Sequence, residues 1–521
     1  MRYKFLIFYI FLTSLSCKLD KEPNPLPGNQ PVVPEVPETP EEPEDPENEV
    51  EGAEISTFSI NNIDFDIQEG QITAFNKQNI LKKELVAVFS ANGVVKINGI
   101  EQESGMTVNN FSGPVVYTVT NDAGNIKEYI VRYITFTGIA KLYITTENKA
   151  RITKEEYVPA SFDFDPNFEY DAEPIGLEGR IRGRGNTSWN MLKKPYKIKF
   201  ESKTSFFNMP AHKTWVLIAN YADKTLIRNY LAYTLAEKTE MPFPVSRHFV
   251  EVFLNDVHIG NYMLTDQIEV DSDRVDIMEL GPTDNDPNQI TGGYLLEIDH
   301  RVLQAQDEPY FETSHFPIVV KSPEEPSIQQ MDYISNYLKE AEEALFGEDF
   351  SDVNFGFRKY FDEESMIRWF IVSELFKNVD SRHFSSIYIH KNRGGKLDMG
   401  PLWDFDLSTG NASHCRDCMR PTGWHVMNNA WFKRMYEDEA FKANVKKLWK
   451  QYKPEIDNIL PQIFKLSEYL DLSQQANFVL WPKLNEPGAT VQNLPDYQSH
   501  VEYLHDFLEE RINWMDNEFT F

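Results

Sequence analysis

From Ile55 to about Phe136 the apolar residues fall on alternate positions in short runs, VVKING, VVYTVTN and EYIVRYI. Turn signals separate them at Asn92-Gly93, Asn98-Gly99 and Ala123-Gly124-Asn125. A period of two puts one face of each strand in a core and the other in water, so residues 55–136 are expected to fold as a small antiparallel β-sandwich. After Thr137 the period changes. Strand-like runs (KLYITTE, PYKIKF, TWVLIANY, HFVEVFLND, IGNYMLTDQIEV, GGYLLEIDH) alternate with helix-like ones (TLIRNYLAYTLAEK, IQQMDYISNYLKEAEEALF, ESMIRWFIVSELFKN). Beyond about residue 430 the periodicity is helical. The chain therefore reads as multidomain: an all-β sandwich, then an α+β domain over 137–521 whose C-terminal portion, about 430–521, is helical.

The N-terminus has a different character. Arg2 and Lys4 precede an apolar run from Phe5 to Leu15, too short to span a bilayer. It ends at Ser16-Cys17, and a Cys just past an apolar run is how a bacterial lipoprotein signal looks, although SLSC lacks the usual Leu three residues before the Cys. Residues 1–17 are thus expected to be a signal peptide, with diacylated Cys17 as a stable two-chain membrane anchor. Residues 18–54, rich in Pro and Glu (PVVPEVPETPEEPEDPENEVEG), cannot bury a core and read as a disordered acidic tether. KLDKE after Cys17 resembles surface-export signals of gut-type Gram-negative lipoproteins. This places the protein on the outer face of the outer membrane, with the periplasmic face as the other placement. A net charge of −30 excludes a nucleic-acid partner, which would demand a dominant Lys/Arg patch. The string SGMTVNNFSGPVVYTVTNDAGNIKEYIVRY resembles immunoglobulin-like, cadherin-like modules, implying an immunoglobulin-like sandwich that acts as a spacer or contacts glycan or protein surfaces.

Three segments carry candidate chemistry. In Arg180-Ile-Arg-Gly-Arg-Gly-Asn-Thr-Ser-Trp189, Gly183 and Gly185 permit close backbone approach while Arg182 and Arg184 bring positive charge, a loop that suits phosphate or is simply a tight turn. In Lys193-Lys194-Pro-Tyr-Lys-Ile-Lys-Phe200, Lys197 and Lys199 share one face of a strand and Tyr196, Ile198 and Phe200 the other. In Lys396–Leu407, Asp404 and Asp406 are expected to project to one side of an extended chain among aromatic residues. Carboxylates in that setting are costly unless paired or metal-bound, and hard oxygens suit Mg²⁺, Mn²⁺ or Ca²⁺. Asp380, between a helix and a strand, is a candidate base. His414-Cys415-Arg-Asp-Cys418 reads as a local disulfide between Cys415 and Cys418, a redox-reactive dithiol, or, with His414 and His425, half of a zinc signature.

Taken in order, the strings IRGRGNTSW, KKPYKIKF, WVLIANYADKTLIRNYLAYTL, GNYMLTDQIEV, GGYLLEID, NVD and GPLWDFDLSTGN resemble the spore-coat-protein-H (CotH) family of atypical kinase-like proteins over about residues 138–430. The resemblance implies an atypical protein-kinase-like fold and ATP- and Mg²⁺- (or Mn²⁺-) dependent phosphoryl transfer to protein hydroxyls. It implies that Arg182, Gly183, Gly185 and Lys194 or Lys199 contact the nucleotide. Asp380 would orient or deprotonate the acceptor, Asp404 would bind metal, and Asp406 would hold the same or a second ion. Two departures stand out: Ser385 occupies the place of a metal-binding Asn, and Glu237 falls late on its helix. A catalytically inactive adhesin on this fold, or a metal-dependent hydrolase of glycans or phosphoesters, are the rival readings.

Overall fold

The computed structural model describes residues 52–168, 173–484 and 493–520; Cys17 and the tether as far as residue 51 lie outside the described residues. Residues 55–135 form two facing sheets, one of four strands and one of six. They share a core in which Phe58 meets Phe65 and Tyr117 edge to face, each at 5.2 Å. Two details differ from the expected all-antiparallel sandwich. Gln71–Asn76 lies parallel to Ile130–Thr135. Asn92-Gly93 is no hairpin turn: Leu85–Ala91 belongs to one sheet and Gly93–Ile97 to the other. Gly93 is needed there because a Cβ would come within 2.2 Å of the Thr120 carbonyl oxygen.

Residues 141–266 close into a seven-stranded barrel. Lys141–Thr146 seals it by pairing antiparallel with Val158–Asp165 and parallel with Arg247–Leu254. Strand alternation decides what goes inside. Tyr196, Ile198 and Phe200 are buried with Trp215, Leu217 and Ile181 in the barrel interior, leaving Lys197 and Lys199 on the outer face. Arg180–Gly183 continues the strand from Leu177, so the loop expected from Arg180 begins only after Gly183.

Beyond the barrel, a five-stranded sheet orders Tyr310–Glu312, Pro317–Ser322, Tyr294–Ile298, Ile387–Lys391 and Leu397–Met399. Against it pack Ile328–Phe346, opened by a Ser327/Gln330 capping box, and Glu363–Leu375, capped by Asp362. The C-terminal portion is helical as expected: Glu439–Asp457, Ile459–Tyr469, Asp471–Leu480 and Tyr497–Thr520. One large core joins these helices and the sheet to helix Arg228–Lys238 and to Val216, Phe249 and Met263 of the barrel. Among the described residues no helix is long and apolar enough to cross a membrane.

The sandwich is bound to the barrel by buried charge. Asp165 bridges Lys82 (3.0 Å) and Lys141 (2.8 Å), whose side chains are fully buried. Asn167 takes a bond from Lys82 (2.9 Å) and donates to the carbonyls of Thr135 and Ile139. Every element at this joint is thus held by ion pairs and hydrogen bonds shielded from water.

Candidate functional site

The chain leaves strand Leu397–Met399 and enters an irregular stretch in which Asp404 adopts a φ of 64°. A non-glycine residue there is held by its surroundings. The Tyr233 hydroxyl accepts the Asp404 N–H (3.3 Å), Asn378 Nδ2 donates to the Asp404 carbonyl (3.1 Å), and Asn229 Oδ1 accepts the Phe405 N–H (2.7 Å). Asn229 and Tyr233 lie four residues apart on one helix and so present to the same loop. This left-handed kink, rather than an extended strand, is what brings the carboxyls of Asp404 and Asp406 within hydrogen-bonding reach of each other.

Charge around these carboxyls is unbalanced. Burial, more than any neighbour, pushes both Asp404 and Asp406 upward; for Asp406 the carboxylates of Asp404, Asp223 and Asp380 push further the same way. Asp380 stands in a short turn, Asp380–Arg382, between helix Glu363–Leu375 and strand Ile387–Lys391. Burial, then Asp404, push it up to about 7, against Arg301. Arg301 is clamped on Asp299, with Nε 2.7 Å from Oδ1 and Nη2 2.7 Å from Oδ2. Arg184 lies over the Trp403 ring at 5.4 Å and, with Arg301, draws Asp404 toward its ionised form. Asp404 and Asp406 are hard oxygen donors of the kind a divalent cation takes, while Asp380 acts on them electrostatically and does not gather with them within 4.8 Å.

This imbalance has a measurable consequence in metal-free protein. Asp380 rises from 3.8 to about 7 on folding, so the unfolded chain releases its proton first and stability falls as pH rises from about 4 to 7. The cost at neutral pH is of the order of 4 kcal/mol. Asp380→Asn is expected to flatten that slope in chelator-treated protein, measured by denaturant melts at pH 4, 5.5 and 7. An unchanged slope would mean that Asp380 ionises freely in the fold.

The basic groups sort differently from their order in sequence. Gly183 donates its N–H to Thr153 and packs so closely on Trp189 that a Cβ would sit 2.2 Å from the indole; Gly185, at a φ of 83°, is equally close to Ser188. Lys194 bonds the Trp189 carbonyl (2.6 Å), so these glycines and this lysine hold the loop to itself. Arg182 stacks on Tyr157 at 4.8 Å, opposite Lys197 in register. Lys199 lies one pleat further along the strand, opposite Arg180. It is Lys197 that meets a carboxylate, Glu269, at 3.4 Å. Glu237 instead pairs with Arg247.

A disulfide joins Cys415 and Cys418. Its loop lies against the Asp380 turn: His425 Nε2 meets the Val379 carbonyl at 3.1 Å, and Lys377 donates to the carbonyls of Asp417, Arg420 and Thr422. Ser385 is buried. Sequence reasoning passed over Asp299, Arg301 and Glu269, which lay in GGYLLEIDH and IGNYMLTDQIEV or just beyond them and were read only as strand formers.

No curated protein matches this chain. Among solved structures, one from Bacteroides thetaiotaomicron VPI-5482, provisionally described as a glycoside hydrolase, aligns at 16% identity over 54% of this chain and 86% of its own. Its TM-score is 0.15, too low for any argument from its shape. The sequence model described as "CotH kinase protein" matches residues 181–515, which span the glycine loop, the Asp380 turn, the Asp404–Asp406 pair and most of the C-terminal helices, and the chain therefore belongs to the CotH family.

Proposed function

We propose that the site around Asp380, Asp404 and Asp406 transfers the terminal phosphoryl group of ATP to a protein hydroxyl. The observation that carries this reading is that Asp380, Asp404 and Asp406 stand close enough to act on one another electrostatically, with Arg184 and Arg301 acting on Asp404. Asp404 and Asp406 would hold Mg²⁺ or Mn²⁺. Such an ion, when bound, neutralises phosphate oxygens and brings nucleotide to the carboxylates. Lys197, fixed by Glu269, and the guanidiniums of Arg182 and Arg184 supply positive charge on the outer face of the barrel, where the polyphosphate would lie. Asp380 takes the acceptor's hydroxyl proton, and Arg301, locked on Asp299, stands beside it to hold the developing negative charge. Phosphoryl transfer has a loose transition state, so positioning and neutralisation account for most of the catalysis.

A soluble chain beginning near residue 52 should gain melting temperature with ATP plus Mg²⁺ or Mn²⁺ through binding linkage, and incorporate label from γ-phosphate-labelled ATP into an acceptor or itself. Lys197→Met should lose most of the nucleotide shift while melting like the parent without ligand. A parent that shows no shift at millimolar nucleotide would remove the proposal.

A further inference from the structure

We propose that, once its disulfide is reduced, the chain binds a soft divalent ion of the zinc class through Cys415, Cys418 and His425. The two sulfurs and a ring nitrogen of His425 all lie within 4.8 Å of one another, with Cys418 Sγ 3.4 Å from His425 Nδ1. The tautomer is already the one a ligand needs. His425 Nε2 meets the Val379 carbonyl at 3.1 Å, and a carbonyl only accepts, so the proton sits on Nε2 and Nδ1 carries the lone pair; Cys418 Sγ lies 3.4 Å from Nδ1 and 3.6 Å from Nε2, so a small turn of the ring aims Nδ1 at an ion beside the sulfur. A backbone carbonyl behind the distal ring nitrogen is the usual support of a metal-binding His. The Cys418 N–H lies 3.3 Å from Cys415 Sγ, a bond that strengthens when that sulfur becomes a thiolate.

The arms are fixed independently of the disulfide. Glu374 accepts the N–H of His425 (2.9 Å) and of Met427 (2.7 Å), and Glu374 is itself held by fully buried Arg511. Lys377 gathers the carbonyls of Asp417 (3.0 Å), Arg420 (2.9 Å) and Thr422 (2.6 Å), which sets the path of the cysteine loop. Opening the S–S bond lets the two sulfurs move apart to the separation tetrahedral ligands need while the loop and His425 stay held, and a water completes four-coordination. In the balance, an external dithiol or phosphine gives two electrons to the disulfide, yielding two thiols and the oxidised reductant. The ion then displaces one proton from each thiol. The disulfide and the ion are mutually exclusive occupants, and the nucleotide site need not be active for either.

The test uses Co²⁺ as an optical stand-in for zinc. Protein reduced with a phosphine and desalted without oxygen is expected to take up one equivalent of Co²⁺ with an intense sulfur-to-metal charge-transfer band and the visible bands of tetrahedral coordination. Zn²⁺ should then bleach both. Oxidised protein should show neither, Cys418→Ser should lose the charge-transfer band, and His425→Ala should weaken binding at least about tenfold. The oxidised parent keeps the comparison valid if a variant fails to fold. Uptake without a sulfur band, uptake equal in oxidised protein, or uptake abolished by His505→Ala at the other three-ligand cluster, His505, Asp506 and Glu509, would overturn the assignment.

Discussion

Asp404→Asn should lower phosphoryl transfer by at least about 10²–10³, and it should also raise the melting temperature of the metal-free protein. Asparagine, like aspartate, is among the few non-glycine residues that adopt a left-handed φ such as this 64°, so the bonds that Tyr233, Asn378 and Asn229 make to this stretch of backbone survive. What disappears is one of two touching carboxyls. Burial already holds both above their ordinary values, and Asp404 is the strongest neighbour acting on Asp406. An amide in its place donates to Asp406 and leaves Arg184 and Arg301 with fewer anions to share. The apo fold relaxes, and the pair that would hold a cation is halved. Thermal melts with and without Mn²⁺, beside transfer of labelled phosphate, read both effects. A variant that transfers phosphate like the parent would remove Asp404 from the chemistry. A variant that melts lower without metal would show that its carboxylate supports the fold instead of straining it.

The same residues explain how far the sequence could be read. Period-two alternation in PYKIKF put Tyr196, Ile198 and Phe200 on one face and Lys197 and Lys199 on the other, and the barrel buries the first set, because burial in a barrel follows strand alternation directly. The helix before Asp380 and the helical C-terminal portion were legible for the same kind of reason. Barrel closure was not. It depends on Lys141–Thr146 pairing in parallel with a strand more than 100 residues away, and register between distant strands leaves no local mark. The candidate site divides in the same manner. Asp380, Asp404 and Asp406 announced themselves as carboxylates in apolar company. Glu269 and Arg301 did not, since each sits near a strand end where a charge is unremarkable until the fold delivers it to Lys197 or to Asp299. The lysines divide in a similar way: four lysines in the seven residues 193–199 are equivalent on paper, and only the pleat and the position of Glu269 set Lys197 apart.

Asp165→Ala is expected to cost about 3–5 kcal/mol at pH 7, which makes it the most destabilising single change predicted outside the candidate site. Asp165 is the one carboxylate between Lys82 and Lys141, both fully buried, where sandwich and barrel meet. Burial already draws Lys82 down to about 8 and lowers Lys141, and Asp165 is the main group opposing that shift in each. Removing it leaves two ammonium groups in the joint, bonded only to neutral oxygens, which must either stay charged without a paired carboxylate or lose their protons. Lysines whose folded values lie below 10.5 cost stability fully at low pH, and the cost fades as pH climbs toward that unfolded value. The deficit of the variant against the parent should therefore narrow between pH 7 and 10, a trend that simple loss of packing would not produce. Asp165→Asn, which keeps an acceptor for one lysine, should fall between the two. Because Asn167 and Thr135 share this network, the weakened variant should also be nicked by protease around residues 135–141 before the barrel unfolds, separating the sandwich from the rest. Should denaturant melts show a loss under 1 kcal/mol with no pH dependence, the sandwich is held to the barrel by its apolar contacts alone, and the buried triad contributes alignment rather than stability.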